Sequence, residues 1–212
     1  IEFTVEIVYF DLLGNGQAVL TGWVGPDDGL LVIDANDNGY IDDISELFGT
    51  ETTDGFTVLE AHDSNSDGVI DVSDTSFSDL LVWTDTNSDG VSQPDELHTL
   101  SELNIKSINL DAMRVGAIDN AGNKITHTST YTLTDDTEHE IVDAWFTYSN
   151  LYTRNAADFT FDIRAAFLPT LKTLGDLKDM HVAISIDNGA AAGTLMEQWI
   201  DFADNDDLAA AI

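Results

Sequence analysis

The sequence predicts an α+β protein in which N-terminal β-hairpins and a later antiparallel β-meander flank acidic loops joined by short helices. Three observations support this prediction. Apolar residues alternate and cluster as in strands at the start of the chain and again after residue 105. Between these parts, a spaced pattern of Asp, Asn and Gly recurs. Apolar residues at helical spacing flank the copies of that pattern.

The N-terminal region is predicted to form strands. Segments 3–10, 18–20 and 30–33 are rich in β-branched, aromatic and other apolar residues. The glycines and the proline between these segments are typical of turns. We therefore expect β-hairpins before the first complete loop.

The most specific motif, at residues 85–96, matches the EF-hand calcium-loop pattern D-x-[DN]-x-[DN]-G-x5-E at every fixed position. Calcium is coordinated by six to eight oxygen atoms, and this spacing supplies them from positions 1, 3, 5, 7, 9 and 12 of one loop. The predicted ligands are Asp85, Asn87, Asp89, Val91 through its carbonyl, Gln93 and Glu96. The alternative is a turn rich in Asn, Asp and Gly that binds no metal.

Two further loops repeat the pattern. The copy at 63–74 has aspartate at position 12, and we expect a weaker site because this shorter side chain more readily supplies a single oxygen. Its predicted ligands are Asp63, Asn65, Asp67, Val69, Asp71 and Asp74. The copy at 34–46 keeps the first half of the pattern, but its long carboxylate falls one place late. Its predicted ligands are Asp34, Asn36, Asn38, Tyr40, Asp42 and Glu46.

A fourth fragment, at 11–16, has Leu13 at position 3 and is interpreted as a plain hairpin turn. Around the complete loops, short helices are predicted at 56–61, 73–83 and 96–103 from the spacing of their apolar residues. The helix at 73–83 would be shared by two loops, which accounts for the 22 residues between Asp63 and Asp85.

The rest of the chain is predicted to contain strands at 107–110, 124–134 and 138–148, followed by a domain boundary near residue 150. Residues 1–150 would form the calcium-binding module. Residues 151–212 are predicted to be a partial, truncated α/β segment with strands at 158–163 and 180–186 and a helix at 194–203.

The charge distribution favours cation binding. The formal net charge is −33, and residues 1–105 contain 23 acidic residues but no Lys or Arg. Such a body repels itself, and bound divalent cations would relieve that repulsion and couple metal binding to folding. An acidic surface that only confers solubility would explain the sign of the charge. It would not explain why the acidic residues follow the spacing of the loop pattern. Nucleic acids and anionic membrane surfaces are poor partners for this field.

Other chemistry is sparse in the sequence. The chain has no cysteine, which excludes disulfides and thiolate ligands. Its five histidines are scattered without the spacing of a zinc site. The sequence contains no stretch of about 18 apolar residues, the length needed to predict a membrane-spanning helix. We predict no catalytic residue, and the sequence leaves the oligomeric state open.

Residues 21–112 resemble the calcium-binding, self-processing-type region of large secreted RTX proteins, the haemolysin-type and iron-regulated proteins of bacteria. The likeness is carried by residues 21–31 (TGWVGPDDGLL), 34–49, 63–74, 81–83 and 85–97. A weaker likeness covers residues 164–187. The resemblance implies a type I-secreted, extracellular parent protein, in which calcium and other domains of the same chain are the partners.

The sequence departs from this family at the cleavage site. Self-processing members cleave an Asp-Pro bond, whereas the three prolines here follow Gly25, Gln93 and Leu168. We therefore expect a calcium-dependent folding module and no enzymatic activity within these residues. Two alternatives stay open: a self-processing module whose scissile bond lies upstream, and a protein-binding module similar to dockerin, whose paired loops also lie about 22 residues apart.

Overall fold

The structure, a computed structural model, describes residues 3–118 and 122–155. These residues belong to the first of two compact units, Ile1–Ala156 and Ala157–Ile212. The strands predicted at 158–163 and 180–186 and the helix predicted at 194–203 lie outside the described residues.

The described residues are mostly β. Their strands are β1 (Phe3–Phe10), β2 (Gln17–Val24), β3 (Leu30–Ile33), β4 (Val69–Asp71), β5 (Leu80–Trp83), β6 (Leu97–Thr99), β7 (Ile105–Asn109), β8 (Met113–Ile118), β9 (Lys124–Leu133), β10 (Glu138–Trp145) and β11 (Tyr148–Asn155). Helical structure in this part of the chain is limited to α1 (Gly55–Leu59) and two 3₁₀ turns, Ile44–Glu46 and Glu60–His62. None of these helices is long and apolar enough to cross a membrane.

The predicted α+β fold is therefore wrong for the described residues. The helix predicted at 73–83 is a series of turns followed by β5, and the helix predicted at 96–103 is β6 followed by further turns. Of the three predicted helices, the structure contains the one at 56–61, as α1 and the 3₁₀ turn after it. The side chain of Asp54 caps α1 by accepting a hydrogen bond from the N–H of Thr57.

The strands form three antiparallel sheets. The first sheet has the order β1-β2-β11, and the second has the order β3-β5-β6. The third has the order β10-β9-β7-β4, with β8 also paired to β9. The predicted strands at 3–10, 30–33 and 124–134 agree with β1, β3 and β9 to within one residue, and those at 18–20 and 107–110 overlap β2 and β7. The predicted strand at 138–148 spans β10 and the start of β11. Strand β8 was not predicted.

Two hydrophobic clusters lie on opposite faces of the second sheet. Core one consists of Val8, Phe10, Trp23, Val24, Val32, Ile41 and Trp83. Core two consists of Leu59, Ile70, Phe77, Leu80, Leu100 and Ile108. Successive residues of β5 pack alternately against core two and core one, beginning with Leu80 in core two and ending with Trp83 in core one.

This two-sided burial explains the error in the helix prediction. A strand that is covered on both faces needs apolar residues at every position, and such a run cannot be distinguished from a buried helix by periodicity alone. Strands β3 and β5 are such runs, Leu-Leu-Val-Ile and Leu-Leu-Val-Trp. They pair with each other in the register Leu30↔Trp83 to Ile33↔Leu80.

Candidate metal-binding loops

The loop at 85–96 is organised by hydrogen bonds from its backbone to its acidic side chains. The carboxylate of Asp85 accepts hydrogen bonds from the N–H groups of Asp89 at 3.1 Å and Gly90 at 2.9 Å. The side chain of Asn87 accepts a second bond from Asp89 N–H at 3.0 Å. Asp89 in turn accepts from Val91 N–H at 2.8 Å. The side-chain oxygens at positions 1, 3 and 5 are thus held inside one tight turn.

Glu96 closes the loop from position 12. One carboxylate oxygen accepts from the N–H of Thr86 at 3.1 Å, and the other accepts from the N–H of Gln93 at 3.2 Å. The indole N–H of Trp83 lies 3.4 Å from the second oxygen. Only 3% of Glu96 is exposed. The predicted ligand at position 12 is therefore held in place by Trp83, Thr86 and Gln93.

Asp85 is attached to the core by a residue far away in the sequence. The indole N–H of Trp23 in β2 donates to Asp85 Oδ2 at 2.7 Å. Burial raises the pKa of Asp85, and the charge of Glu96 raises it further, against the hydrogen bonds that lower it.

The loop at 63–74 has the same internal hydrogen bonds. The carboxylate of Asp63 accepts from Asp67 N–H at 3.3 Å and from Gly68 N–H at 2.8 Å. Asn65 accepts from Asp67 N–H at 2.9 Å, and Asp67 accepts from Val69 N–H at 3.0 Å. Each of these bonds has a counterpart at the same position of loop 85–96.

Asp74 takes the place of the closing glutamate in this loop. Its two oxygens accept hydrogen bonds from the N–H groups of Ser64 at 2.8 Å and Asp71 at 3.0 Å. These are positions 2 and 9, which in loop 85–96 donate to Glu96. The hydrogen bond from Asp71, helped by those from Ser64, lowers the pKa of Asp74. Asp74, although its side chain is shorter, thus accepts hydrogen bonds from the same two loop positions as Glu96.

The loop at 34–46 also keeps this frame. Asp34 accepts from the N–H groups of Asn38 at 3.1 Å and Gly39 at 2.8 Å. Asn36 accepts from Asn38 N–H at 3.0 Å, and Asn38 accepts from Tyr40 N–H at 2.8 Å. The first half of this loop is equivalent to the first half of the other two.

Glu46 closes loop 34–46 although it stands one residue later than the pattern requires. It accepts from Ala35 N–H at 3.1 Å and from Asp42 N–H at 2.7 Å, again positions 2 and 9 of the loop. Its exposure is 1%, and burial raises its pKa. The 3₁₀ turn Ile44–Glu46 accommodates the additional residue.

The backbone conformation is also common to the three loops. The position-6 glycines have φ values of 83° (Gly39), 85° (Gly68) and 73° (Gly90). The position-4 residues have φ values of 57° (Asp37), 59° (Ser66) and 55° (Ser88). Positive φ is uncommon for residues other than glycine. Each loop therefore has the same two left-handed backbone positions, 4 and 6.

The fragment at 11–16 reproduces only the first half of the frame. Asp11 accepts from Asn15 N–H at 3.2 Å and from Gly16 N–H at 2.5 Å. However, the N–H at its second position, Leu12, donates to the carbonyl of Phe10 and not to a closing carboxylate. The fragment connects β1 to β2, the place predicted for a hairpin turn.

The donor set of the three loops fits a hard divalent cation, since it consists of carboxylate, amide and carbonyl oxygens without sulfur or imidazole. In the described part of the chain, the ion pairs lie outside the three loops. Lys106 contacts Asp136, and His127 contacts Asp54 and Asp143. Within the same residues, no three His, Cys, Asp or Glu side chains by themselves form a group that could hold a metal. Binding would therefore depend on the Asn side chains and main-chain carbonyls as well.

Three residues that make hydrogen bonds at the loops were not predicted as site residues: Trp23, Trp83 and Ser92. For the two tryptophans, the available signal was that a buried indole N–H generally needs a hydrogen-bond acceptor. Ser92, which is 1% exposed, accepts a hydrogen bond from Ile41 N–H of another loop. No sequence signal indicated Ser92, because its contact depends on which loops become neighbours in the fold.

Residues 2–147 match the family model of the SPM domain. The chain is also similar to the "Iron-regulated protein FrpA" of Neisseria meningitidis serogroup C, with 37% identity over 190 residues. This alignment covers 86% of the chain but only 17% of that relative, so the chain spans less than a fifth of the relative's length. The predicted likeness to an iron-regulated protein is confirmed. Because the family model matches well over half of its residues, this chain belongs to the SPM domain family.

Proposed function

We propose that this chain is a calcium-binding module of a large secreted bacterial protein of the RTX type, and that bound calcium stabilises its fold. The observation that carries the proposal is the shared frame of the three loops. In each loop, side chains at positions 1, 3 and 5 and a closing carboxylate receive equivalent hydrogen bonds from the loop's own backbone.

The electrostatics of the loops support this proposal. Asp85, Glu96 and Glu46 are almost completely buried, and residues 1–105 contain no Lys or Arg that could balance them. Burying a charge without a partner is costly. A bound calcium ion would supply positive charge at these positions, and the calcium binding energy would then contribute to the stability of the folded chain.

The secreted, extracellular setting is supported by the resemblance of residues 21–112 to RTX proteins and by the similarity to FrpA. Extracellular calcium modules typically bind at about 0.1–1 mM, a range suited to a protein that meets calcium only after export. Other domains of the parent protein are the proposed partners. The dockerin-like alternative is less well supported, because the helix that its two loops would share is replaced by β5.

Calcium titration of the metal-free chain tests the proposal. We expect a higher unfolding temperature and a change in circular dichroism at millimolar calcium. A hundredfold excess over the dissociation constant stabilises by about 2.7 kcal/mol per site. Magnesium at the same concentration is the control for ionic strength, and its effect should be smaller because these loops supply many flexible oxygen ligands. Identical unfolding curves in calcium and in chelator would overturn the proposal.

A further inference from the structure

We propose that loops 34–46 and 85–96 bind their cations as a coupled pair connected through Ser92, whereas loop 63–74 binds independently. This inference rests on the proposed function, since it concerns how the same loops respond to one another. The two loops of the proposed pair are not adjacent in the sequence, because loop 63–74 lies between them.

The two loops of the pair contact each other directly. The N–H of Ile41 donates to Ser92 Oγ at 2.7 Å, and this buried bond joins residues 51 positions apart. Ile41 is 3% exposed and Ser92 is 1% exposed. Counted from Asp34 and Asp85, both residues stand at position 8. The contact therefore joins equivalent points of two loops, next to the predicted carbonyl ligands at position 7.

The hydrogen bond and the predicted ligand belong to the same peptide group. The carbonyl of Tyr40 is the position-7 ligand of loop 34–46, and the N–H on the other side of that peptide bond is the Ile41 donor. Withdrawal of electrons at a peptide oxygen makes the N–H a stronger donor, as in any chain of polarised hydrogen bonds. The acceptor, Ser92, directly follows Val91, whose carbonyl is the position-7 ligand of loop 85–96. One hydrogen bond thus separates the two coordinating segments.

Both loops are also attached to core one. Ile41 packs in core one beside Trp23 and Trp83. The indoles of these tryptophans lie against the carboxylates of loop 85–96, with Trp23 bound to Asp85 at 2.7 Å and Trp83 to Glu96 at 3.4 Å. Ordering of either loop therefore fixes side chains on which the other loop depends.

Loop 63–74 is attached to a different part of the fold. Its position-8 residue, Ile70, lies in β4 and pairs with Ile108 of β7 in the third sheet. Both residues pack in core two. The hydrogen bonds of the closing residue Asp74 are made within the loop, from Ser64 and Asp71. Nothing in these contacts connects the loop's ligands to the other two loops.

Site-resolved NMR titration of the full 212-residue chain tests the coupling. The amide signals of Gly39, Gly68 and Gly90 each report one loop, since each N–H donates to the position-1 carboxylate. The matched variants are Asp34→Asn and Asp63→Asn, which make the same change at position 1 of different loops.

We expect Asp34→Asn to raise the calcium concentration at half-titration of Gly90 by about fivefold or more, the lower end of typical coupling between sites. Asp63→Asn should change that value by less than about twofold. In a Ser92→Ala background, the effect of Asp34→Asn on Gly90 should disappear. If Ser92→Ala does not fold, the reciprocal effect decides, since Asp85→Asn must then shift the Gly39 titration by the same factor.

The results separate the coupling from the proposed function. If calcium moves none of the three glycine signals, the proposed function itself is wrong. If calcium moves them but Asp34→Asn and Asp63→Asn shift Gly90 equally, the loops bind calcium and the coupled pair is wrong.

Discussion

Core one and core two both support acidic loops of the same internal design, but they surround the carboxylates of those loops differently. Next to core one, Glu46 and Glu96 are buried, and Trp23 and Trp83 donate to the side chains of loop 85–96. Next to core two, Asp74 is also buried and accepts its hydrogen bonds from its own loop, and these bonds lower its pKa. Burial raises the pKa values of Asp85 and Glu46.

From these opposite pKa shifts we expect carboxylates of the same loop pattern to have opposite effects on the stability of the metal-free fold. A carboxyl group whose pKa is higher in the folded than in the unfolded chain destabilises the fold when it is ionised. This destabilisation is present at neutral pH. An acid whose folded pKa is lowered stabilises the fold above its unfolded pKa, and this contribution is lost as the pH falls. We therefore expect the loops on core one to depend more on a bound cation than the loop on core two.

The largest difference between the two regions is expected from their closing residues. Glu96→Gln removes a buried charge and one of the two oxygens that are proposed to coordinate calcium, with little change in size. It should weaken calcium binding at its loop at least about tenfold, or ~1.4 kcal/mol. Asp74→Asn should cause a smaller loss, since that side chain is expected to supply a single oxygen. Isothermal titration of both variants measures the two effects. Equal losses would show that the two loops close equivalently.

A second contrast lies within core one. Trp23→Phe removes the donor to Asp85, and outer-shell donors of this kind typically change metal affinity by about 10–100-fold. Trp83→Phe is the matched control, because it removes an indole of the same size whose bond to Glu96 is longer, at 3.4 Å. We expect the larger loss of calcium affinity for Trp23→Phe, measured by titration under conditions in which both variants are folded. A larger loss for Trp83→Phe would contradict the prediction and show that the indole of Trp83 contributes more to calcium affinity than the indole of Trp23.

The pH dependence of the metal-free protein should follow the raised pKa values of Asp85 and Glu46. Lowering the pH from 7 to 5 brings the solution closer to these values, so the metal-free fold should gain stability. Relief of the self-repulsion from a net charge of −33 acts in the same direction. The urea midpoints at the two pH values measure this change. In saturating calcium, the gain should shrink or reverse, because protons compete with the cation for the carboxylates. A metal-free protein that is less stable at pH 5 would contradict the prediction.

The smallest expected effect is the absence of a reaction. The 212 residues contain no Asp-Pro bond, so neither region should be cleaved when calcium is added. Intact mass and denaturing electrophoresis after several hours in millimolar calcium check this expectation. A discrete fragment or a crosslinked dimer would show that another bond is labile and would favour an enzymatic function. Lys106, Lys124, Lys172 and Lys178 are the possible acceptors in such a crosslink.

The sequence was a good guide wherever structure depends on neighbouring residues. The strand predicted at 30–33 and the one predicted at 124–134 agree with β3 and β9 to within a residue. The prediction failed at β5, where four consecutive apolar residues were assigned to a helix. Their strand conformation depends on β3, about 50 residues earlier, and on the two cores that cover both faces. Local periodicity carries no information about such distant partners.

The sequence by itself determined the frame of each loop, because every hydrogen bond in that frame joins residues within 13 positions of one another. The Asp, Asn and Gly residues form these bonds locally, and the glycines permit the positive φ that the turn requires. Only the tertiary structure decided which loops became neighbours and which carboxylates were buried. Packing of core one brought Trp23 to Asp85 and Ile41 to Ser92, since these contacts join segments that are 62 and 51 residues apart.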